Sequence, residues 1–174
     1  MHIESLMWLL PIVFMIHEFE EIIFLNSWIT KNKEYIHQRL PQIAKIFLSR
    51  LEKMSTPAFA LAVFEEFILL SALTFICVEF KYFSLFAALS IAYLVHVIVH
   101  IIQSIALKKY IPAVGTGIIT GLYNVFALYY LNLLDLLNWK TIAFLTPLVA
   151  FIAFLNLLFC HYLAKLFDDT KNKG

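Results

Sequence analysis

His17, Glu18, Glu20 and Glu21 interrupt the first long apolar run of the chain. Glu65 and Glu66 interrupt the second, and His96 and His100 the third. No lysine or arginine stands among them. A charge near the bilayer centre costs at least about 2.5–3.5 kcal/mol on the insertion scale, so ionisable residues there serve a function and have partners. Three histidines, even if all were protonated, cannot neutralise five carboxylates. The balance calls for bound metal, bound protons, or both.

The spacing gathers these groups. On a helix, His17, Glu20 and Glu21 stand at i, i+3 and i+4 and project from one face. Glu18 lies further round, within about 60° of Glu21. His96 and His100 are one turn apart, and Tyr93 and Gln103 extend their polar stripe. Glu65 and Glu66 are adjacent, so one can point where the other cannot. All these positions, with Asn124 in the fourth apolar run, fall near the middle of their runs. Antiparallel helices would bring them to similar heights, and one convergent site is the economical reading.

Carboxylates and imidazoles projecting from facing helices are the material of bundle metal sites, where di-iron and di-manganese proteins use Glu with Glu-x-x-His. His17 and Glu20 reverse that motif. Carboxylate-rich ligation suits Fe, Mn or Mg, and mixed His and carboxylate sites also suit Zn. The expected ligands of Fe, Mn or Zn are His17, Glu21, Glu66, His96 and His100. Glu20 or Glu65 is then the acid/base or supporting partner. A dinuclear centre needs about four carboxylates and two or three imidazoles, which the chain can supply. The plainer alternative is that His–Glu pairs hold helices together, with Asn124 and Asn156 as interhelical hydrogen-bonding groups. His2, His37 and His161 fall near membrane surfaces and are not expected in the site.

The elements that must position these residues are membrane helices. Hydrophobic residues make up 62% of the chain and charged residues 14%, with mean hydropathy +0.84. One all-α membrane domain over residues 1–174 is expected, with no basic tract for nucleic acid. Five spans are expected, at 4–29, 56–78, 83–107, 111–134 and 140–164; each is about 22–26 residues, enough to cross ~30 Å of hydrocarbon. Of the thirteen lysines and arginines, eleven fall after the first, third and fifth spans, leaving Lys81 and Lys140 on the other side. The positive-inside rule then puts the amino terminus outside and the carboxyl terminus in the cytoplasm. Tyr110 and Trp139 sit at span ends as interfacial anchors.

The segment 31–54 is expected to be an amphipathic cytoplasmic connector. Pro41 suits a helix's first turn. Ile36, Leu40, Ile43, Phe47, Leu51 and Met54 form an apolar stripe opposite Gln42, Lys45, Ser49, Glu52 and Lys53, the pattern of a helix lying on a leaflet. Gly117 and Gly121 let another helix approach closely, either within the bundle or as the face of a homodimer. Cys77 and Cys160 lack metal-ligand spacing and read as small apolar residues. No cleavable signal peptide is expected, because the first apolar run lacks a basic n-region and carries His17 to Glu21 where leucines would stand.

At HEFEE, His17 to Glu21, the chain resembles the HXXEE-domain proteins, small bacterial and archaeal integral membrane proteins. The resemblance extends to FEEF, Phe64 to Phe67, and to His96–Thr116, where His96, His100, Gln103, Ser104, Tyr110 and Pro112 match the pattern. It implies a multi-pass protein of a bacterial or archaeal cytoplasmic membrane and a shared site involving His17, Glu20, Glu21, His96 and His100. It implies no particular reaction. A second similarity, through Glu65, Glu66, His96 and His100, is to the prenyl-protein-processing glutamate intramembrane proteases. The arginine that usually follows their glutamate pair is absent here, and the helix count is low.

The expected function is a membrane-embedded, metal-dependent enzyme acting on a lipid or other hydrophobic substrate. In a hydrolytic version metal activates water and a glutamate serves as base. In an oxidative version a di-iron centre bridged by Glu21 and Glu66 activates dioxygen. The alternatives are a metal-ion or proton-coupled transporter using the same residues, a glutamate-type intramembrane protease, and an assembly factor that binds no metal.

Overall fold

The computed structural model describes residues 2–48 and 54–171. Five long helices account for nearly all of them, and the described residues contain no strand. We label them α1 (Ile3–Arg39), α2 (Thr56–Glu79), α3 (Phe83–Leu107), α4 (Val114–Leu133) and α5 (Trp139–Lys171). Helices α2 to α5 are each long and apolar enough to cross a membrane. At 37 residues α1 has the length as well, but Glu18, Glu20 and Glu21 break its apolar run.

Helix α1 runs further than the expected first span, through the start of the connector to Arg39. Nothing between Leu25 and Arg39 stops it. Thr30 and Asn32 donate their side chains back to the carbonyls of Asn26 (2.9 Å) and Trp28 (2.8 Å) and stay within the helix. The stop comes at Leu40, whose φ of −136° and ψ of 65° have left the helical region as the residue before a proline tends to. Pro41 then opens the short helical stretch Pro41–Ile43 at its first position, followed by a π-helical turn over Ala44–Leu48. The remainder of the expected connector helix, Ser49 to Lys53, lies outside the described residues. The end of α1 is tied to the end of α3: the Tyr35 hydroxyl donates to the Leu107 carbonyl (2.8 Å) and Arg39 Nε to that of Ala106 (3.2 Å).

Around the bundle the helices pack in the order α1, α2, α5, α3, α4 and back to α1. Consecutive α2 and α3 are therefore splayed, with α5 packed on both. It meets α2 through Ala58, Ala62, Cys160 and Ala164. This face of small residues allows close approach. Most of the rest of α5 is exposed and apolar, as a lipid-facing helix is.

Helices α1 and α3 both flank α4 and face each other across the interior. One core cluster, from Leu6, Met7 and Leu10 to Phe86, Ala127 and Leu131, fills one end of the bundle. Another, around Ile29, Ile36, Leu107 and Ile111, fills the other. The polar residues lie between them, beside Phe14, Val63, Tyr93 and Val97. The glycine face of α4 is filled within the chain. A Cβ at Gly117 would lie 3.2 Å from Val97 and 3.4 Å from the His17 ring, and one at Gly121 would lie 3.6 Å from Leu94.

Candidate metal centre

Helix α1 carries His17, Glu18 and Glu21 inward, with relative exposures of 0, 5 and 8%. Opposite them, α3 presents His96 and His100 from successive turns. His17 Nε2 lies 3.2 Å from His96 Nε2, which lies 3.0 Å from His100 Nε2. His100 Nε2 is in turn 3.0 Å from Glu21 Oε1. One ligand atom from each of His17, Glu21, His96 and His100 can be chosen so that all four lie within 4.8 Å of one another. At metal–nitrogen bonds of ~2.0–2.1 Å, neighbouring ligands of a tetrahedral ion stand about 3.3 Å apart. The group has the dimensions to hold one metal ion.

The three imidazoles form a hydrogen-bonded chain, His17 to His96 to His100, that ends in the ion-pair contact of His100 with Glu21. Glu21 Oε1 is buried and has no hydrogen-bond partner, although His100 Nε2 is 3.0 Å away. The two atoms are close but not aligned as donor and acceptor. A cation or a proton between an imidazole and a buried carboxylate offsets the cost of burying them. The Nδ1 atoms of His17 and His100 are also buried without hydrogen bonds. The His17 ring is held by packing: Tyr93 meets it edge-on at 5.7 Å between centroids, and Tyr93 itself shares a 2.7 Å hydrogen bond with Thr120 of α4.

Four of the five expected ligands are thus brought together. The fifth, Glu66, stands within electrostatic range of Glu21 and Glu18. Glu18, which the sequence reading left without a role, has Oε1 4.0 Å from His96 Nε2. The signal was its angular nearness to Glu21, and its burial is what selects it.

The other glutamate of each pair faces a different helix. Glu20 accepts from the backbone N–H of Thr116 (3.0 Å), from the Thr116 hydroxyl (2.6 Å) and from the Tyr110 hydroxyl. Its carboxylate therefore occupies the amino-terminal turn of α4, where orphan N–H groups and the helix dipole favour an anion. Ala113 opens this turn in the left-handed region at φ 88°. Two residues of the HXXEE resemblance serve it: Tyr110 through Glu20, and Ser104 by donating to the Lys109 carbonyl (2.8 Å). Tyr110 lies in the turn outside the spans, where burial and then the Glu20 contact hold its hydroxyl above its ordinary pKa.

Glu65 faces α5, where its Oε2 accepts from Asn156 Nδ2 (3.0 Å) and from Cys160 Sγ (2.7 Å). Asn156 thus does bridge helices. Asn124 instead donates to the Thr120 carbonyl of its own helix, at 2.9 Å.

The cluster is open on one side. His96 is 45% exposed in its side chain. Its neighbours Val95, Ile98, Val99 and Ile102 along α3 are exposed and apolar.

No curated protein and no solved structure matches the chain. A family model does, over residues 8–130, a stretch that takes in every histidine and glutamate of the cluster. The chain belongs to the family described as proteins of unknown function with the HXXEE motif.

Proposed function

We propose that His17, Glu21, His96 and His100 bind one divalent metal ion, and that the chain is a membrane-embedded, metal-dependent enzyme acting on a lipid or similarly apolar substrate. The observation that carries this reading is the meeting of three imidazole nitrogens with a buried, unpartnered carboxylate oxygen. Three imidazoles with one carboxylate suit Zn, Mn or Fe, and the single carboxylate among the four favours a mononuclear centre over a bridged pair. Such an ion supplies a water nucleophile at neutral pH and charge stabilisation for a developing oxyanion. The chain's residues would do the rest. Glu18, beside His96, and Glu66, near Glu21, are carboxylates outside the four ligands and placed to take up a proton. Tyr93 and Val97 fix the rings, and the apolar surroundings exclude bulk water.

The apolar substrate follows from the exposure of His96. That ligand opens among aliphatic side chains on a membrane helix, so what approaches it arrives through lipid. The reading takes all five helices as spans, α1 included, with the amino terminus outside. Its support is that eleven of thirteen lysines and arginines fall on one side of that arrangement.

A second reading, an ion carrier, is favoured by one observation: Glu18, Glu21 and Glu66 stand within electrostatic range of one another and would offer a cation successive carboxylates. Elemental analysis of protein purified in detergent without chelators tests both, with wild type beside His17→Ala and Glu21→Gln. About one equivalent of Zn, Mn or Fe in the wild type and none in either variant is the expected result, and the identity of the metal chooses between hydrolytic and redox chemistry. No metal in any sample overturns the enzyme reading. Weak, freely exchanging metal that accumulates in vesicles favours the carrier.

A further inference from the structure

A second feature reaches the same cluster from another direction. Between α1 and the start of α2 runs a narrow slot, about 20 Å³ in the volume open to water centres. That is room for one or two water molecules at a time. Glu21 closes its inner end, and Ile22, Leu25, Asn26 and Ile29 of α1 face Met54, Thr56 and Phe59 along it. From Glu21 to Ile29 the slot follows about 12 Å of helix. Its outer end lies where α2 begins, at a membrane surface, while its inner end touches a carboxylate that is more than nine-tenths buried and has an unpartnered oxygen.

We infer that this slot is the path by which water and the metal ion reach Glu21. The walls are mostly apolar, but Thr56 and Asn26 place a hydroxyl and an amide along its length. A partly dehydrated cation or a single water molecule could pass from one to the next before meeting the carboxylate. The slot is too narrow for an acyl chain with its headgroup, so it does not compete with the open apolar face at His96. The centre would then have two approaches separated by phase, aqueous at Glu21 and lipid at His96. Hydrolysis of a membrane-resident substrate needs that separation, because its two reactants dissolve in different media. The inference rests on the metal-centre reading only for what the path delivers. The path itself can be tested on metal-free protein.

The test is thiol accessibility in proteoliposomes, with Cys77→Ala and Cys160→Ala as the background. Leu25→Cys and Ile29→Cys place a thiol in the slot; Ile23→Cys places one at similar depth on the exposed apolar face of α1. Silver ion is small and reacts with thiolates, which form in contact with water and not in hydrocarbon. After silver treatment the protein is denatured and its remaining thiol is labelled with a maleimide. Labelling of Leu25→Cys and Ile29→Cys should fall about ten-fold, while Ile23→Cys keeps its label. Two slot positions guard against one variant misfolding, as does full labelling of each without silver. Equal protection at all three positions, or at none, overturns the path. If the slot thiols are blocked but wild-type protein holds no metal, the path stands and the metal reading falls. If metal is present and the slot thiols escape silver, the reverse holds.

Discussion

Glu20 and Glu21 are adjacent in sequence and sit in opposite kinds of site. Glu20, at the start of α4, is surrounded by donors: a backbone N–H and two hydroxyls point at its carboxylate. Glu21, about 100° further round the helix on the face toward α3, has a buried oxygen without a hydrogen bond, 3.0 Å from the His100 imidazole. The first region is what a stable fold makes of a half-exposed anion, which is satisfied where it stands. The second gathers three imidazoles and a carboxylate, an arrangement that a bound cation or proton favours. Burial and the kind of partner together distinguish the two glutamates.

The same conservative change at both residues separates them most. Glu21→Gln removes a charged ligand, and metal affinity should fall by at least about 100-fold, since even an outer partner of a metal ligand contributes 10–100-fold. The metal-free variant should be as stable as metal-free wild type or more so, because the new amide can donate to His100. Glu20→Gln should do the opposite. It weakens charge-assisted bonds at the α4 turn, costing about 1–3 kcal/mol of stability, and leaves the metal stoichiometry at its wild-type value. Thermal unfolding and elemental analysis on the two variants read both effects. Metal loss in Glu20→Gln with Glu21→Gln intact would reverse the assignment.

Acidification sharpens the same contrast by acting on the imidazoles. Each ligand imidazole must be free of a proton at the nitrogen that binds, so protons compete with metal for His17, His96 and His100. Bound metal should decrease as pH falls and return when it is raised, followed by equilibrium dialysis against radioactive zinc. Uptake that is independent of pH would mean that carboxylates, not imidazoles, do the binding.

Part of this arrangement was legible in the sequence, for identifiable reasons. His17 with Glu21, and His96 with His100, share helix faces by their i, i+4 spacing, a local property that needs no knowledge of the fold. Their meeting followed from depth, because antiparallel spans bring their midpoints level. Which member of each glutamate pair joins the cluster was not legible. Glu20 turns away because Ala113 adopts a left-handed conformation that aims the α4 turn at it. Glu65 turns away because α5 packs between α2 and α3, a relation between segments some ninety residues apart that no periodicity records. The continuation of α1 beyond residue 29 was not legible either, because the end of an apolar run does not end a helix; the change of backbone before Pro41 does.

The two glycines of α4 offer a smaller and more discriminating test. An alanine at Gly117 gains about 0.5–1 kcal/mol of helix preference but presses its Cβ to 3.2 Å from Val97 and 3.4 Å from the His17 ring. Overpacking of that kind costs about 1–3 kcal/mol. The gain offsets only part of the cost, leaving a net loss of about 0–2.5 kcal/mol, while a ligand is displaced, so metal affinity should drop several-fold with a melting temperature lowered by at most a few degrees. At Gly121 the nearest atoms are at 3.6 and 3.8 Å, ordinary contact distances. Gly121→Ala should therefore stabilise the protein slightly and leave metal binding unchanged. Equal effects of the two on metal would detach His17 from the centre.

The smallest expected effect tests whether Glu65 belongs with Glu20 or with Glu21. Its carboxylate has two donors on α5, the Asn156 amide and the Cys160 thiol. A thiol is a weak donor, and position 160 packs in a layer already made of Ala58, Ala62 and Ala164, so Cys160→Ala keeps the packing and removes the weaker bond to Glu65 with the 3.5 Å contact that Cys160 accepts from Asn156. Its effect should stay within about 1 kcal/mol. Asn156→Leu takes away the stronger donor and leaves the carboxylate facing hydrocarbon, so it should cost more than Cys160→Ala, about 1–3 kcal/mol. Metal content should be unchanged in both if Glu65 only fastens α5 to α2. A fall in metal on losing Cys160 alone would show that the chain of carboxylates runs from the cluster through Glu66 to Glu65, and that the boundary between fold and site lies one residue further along α2.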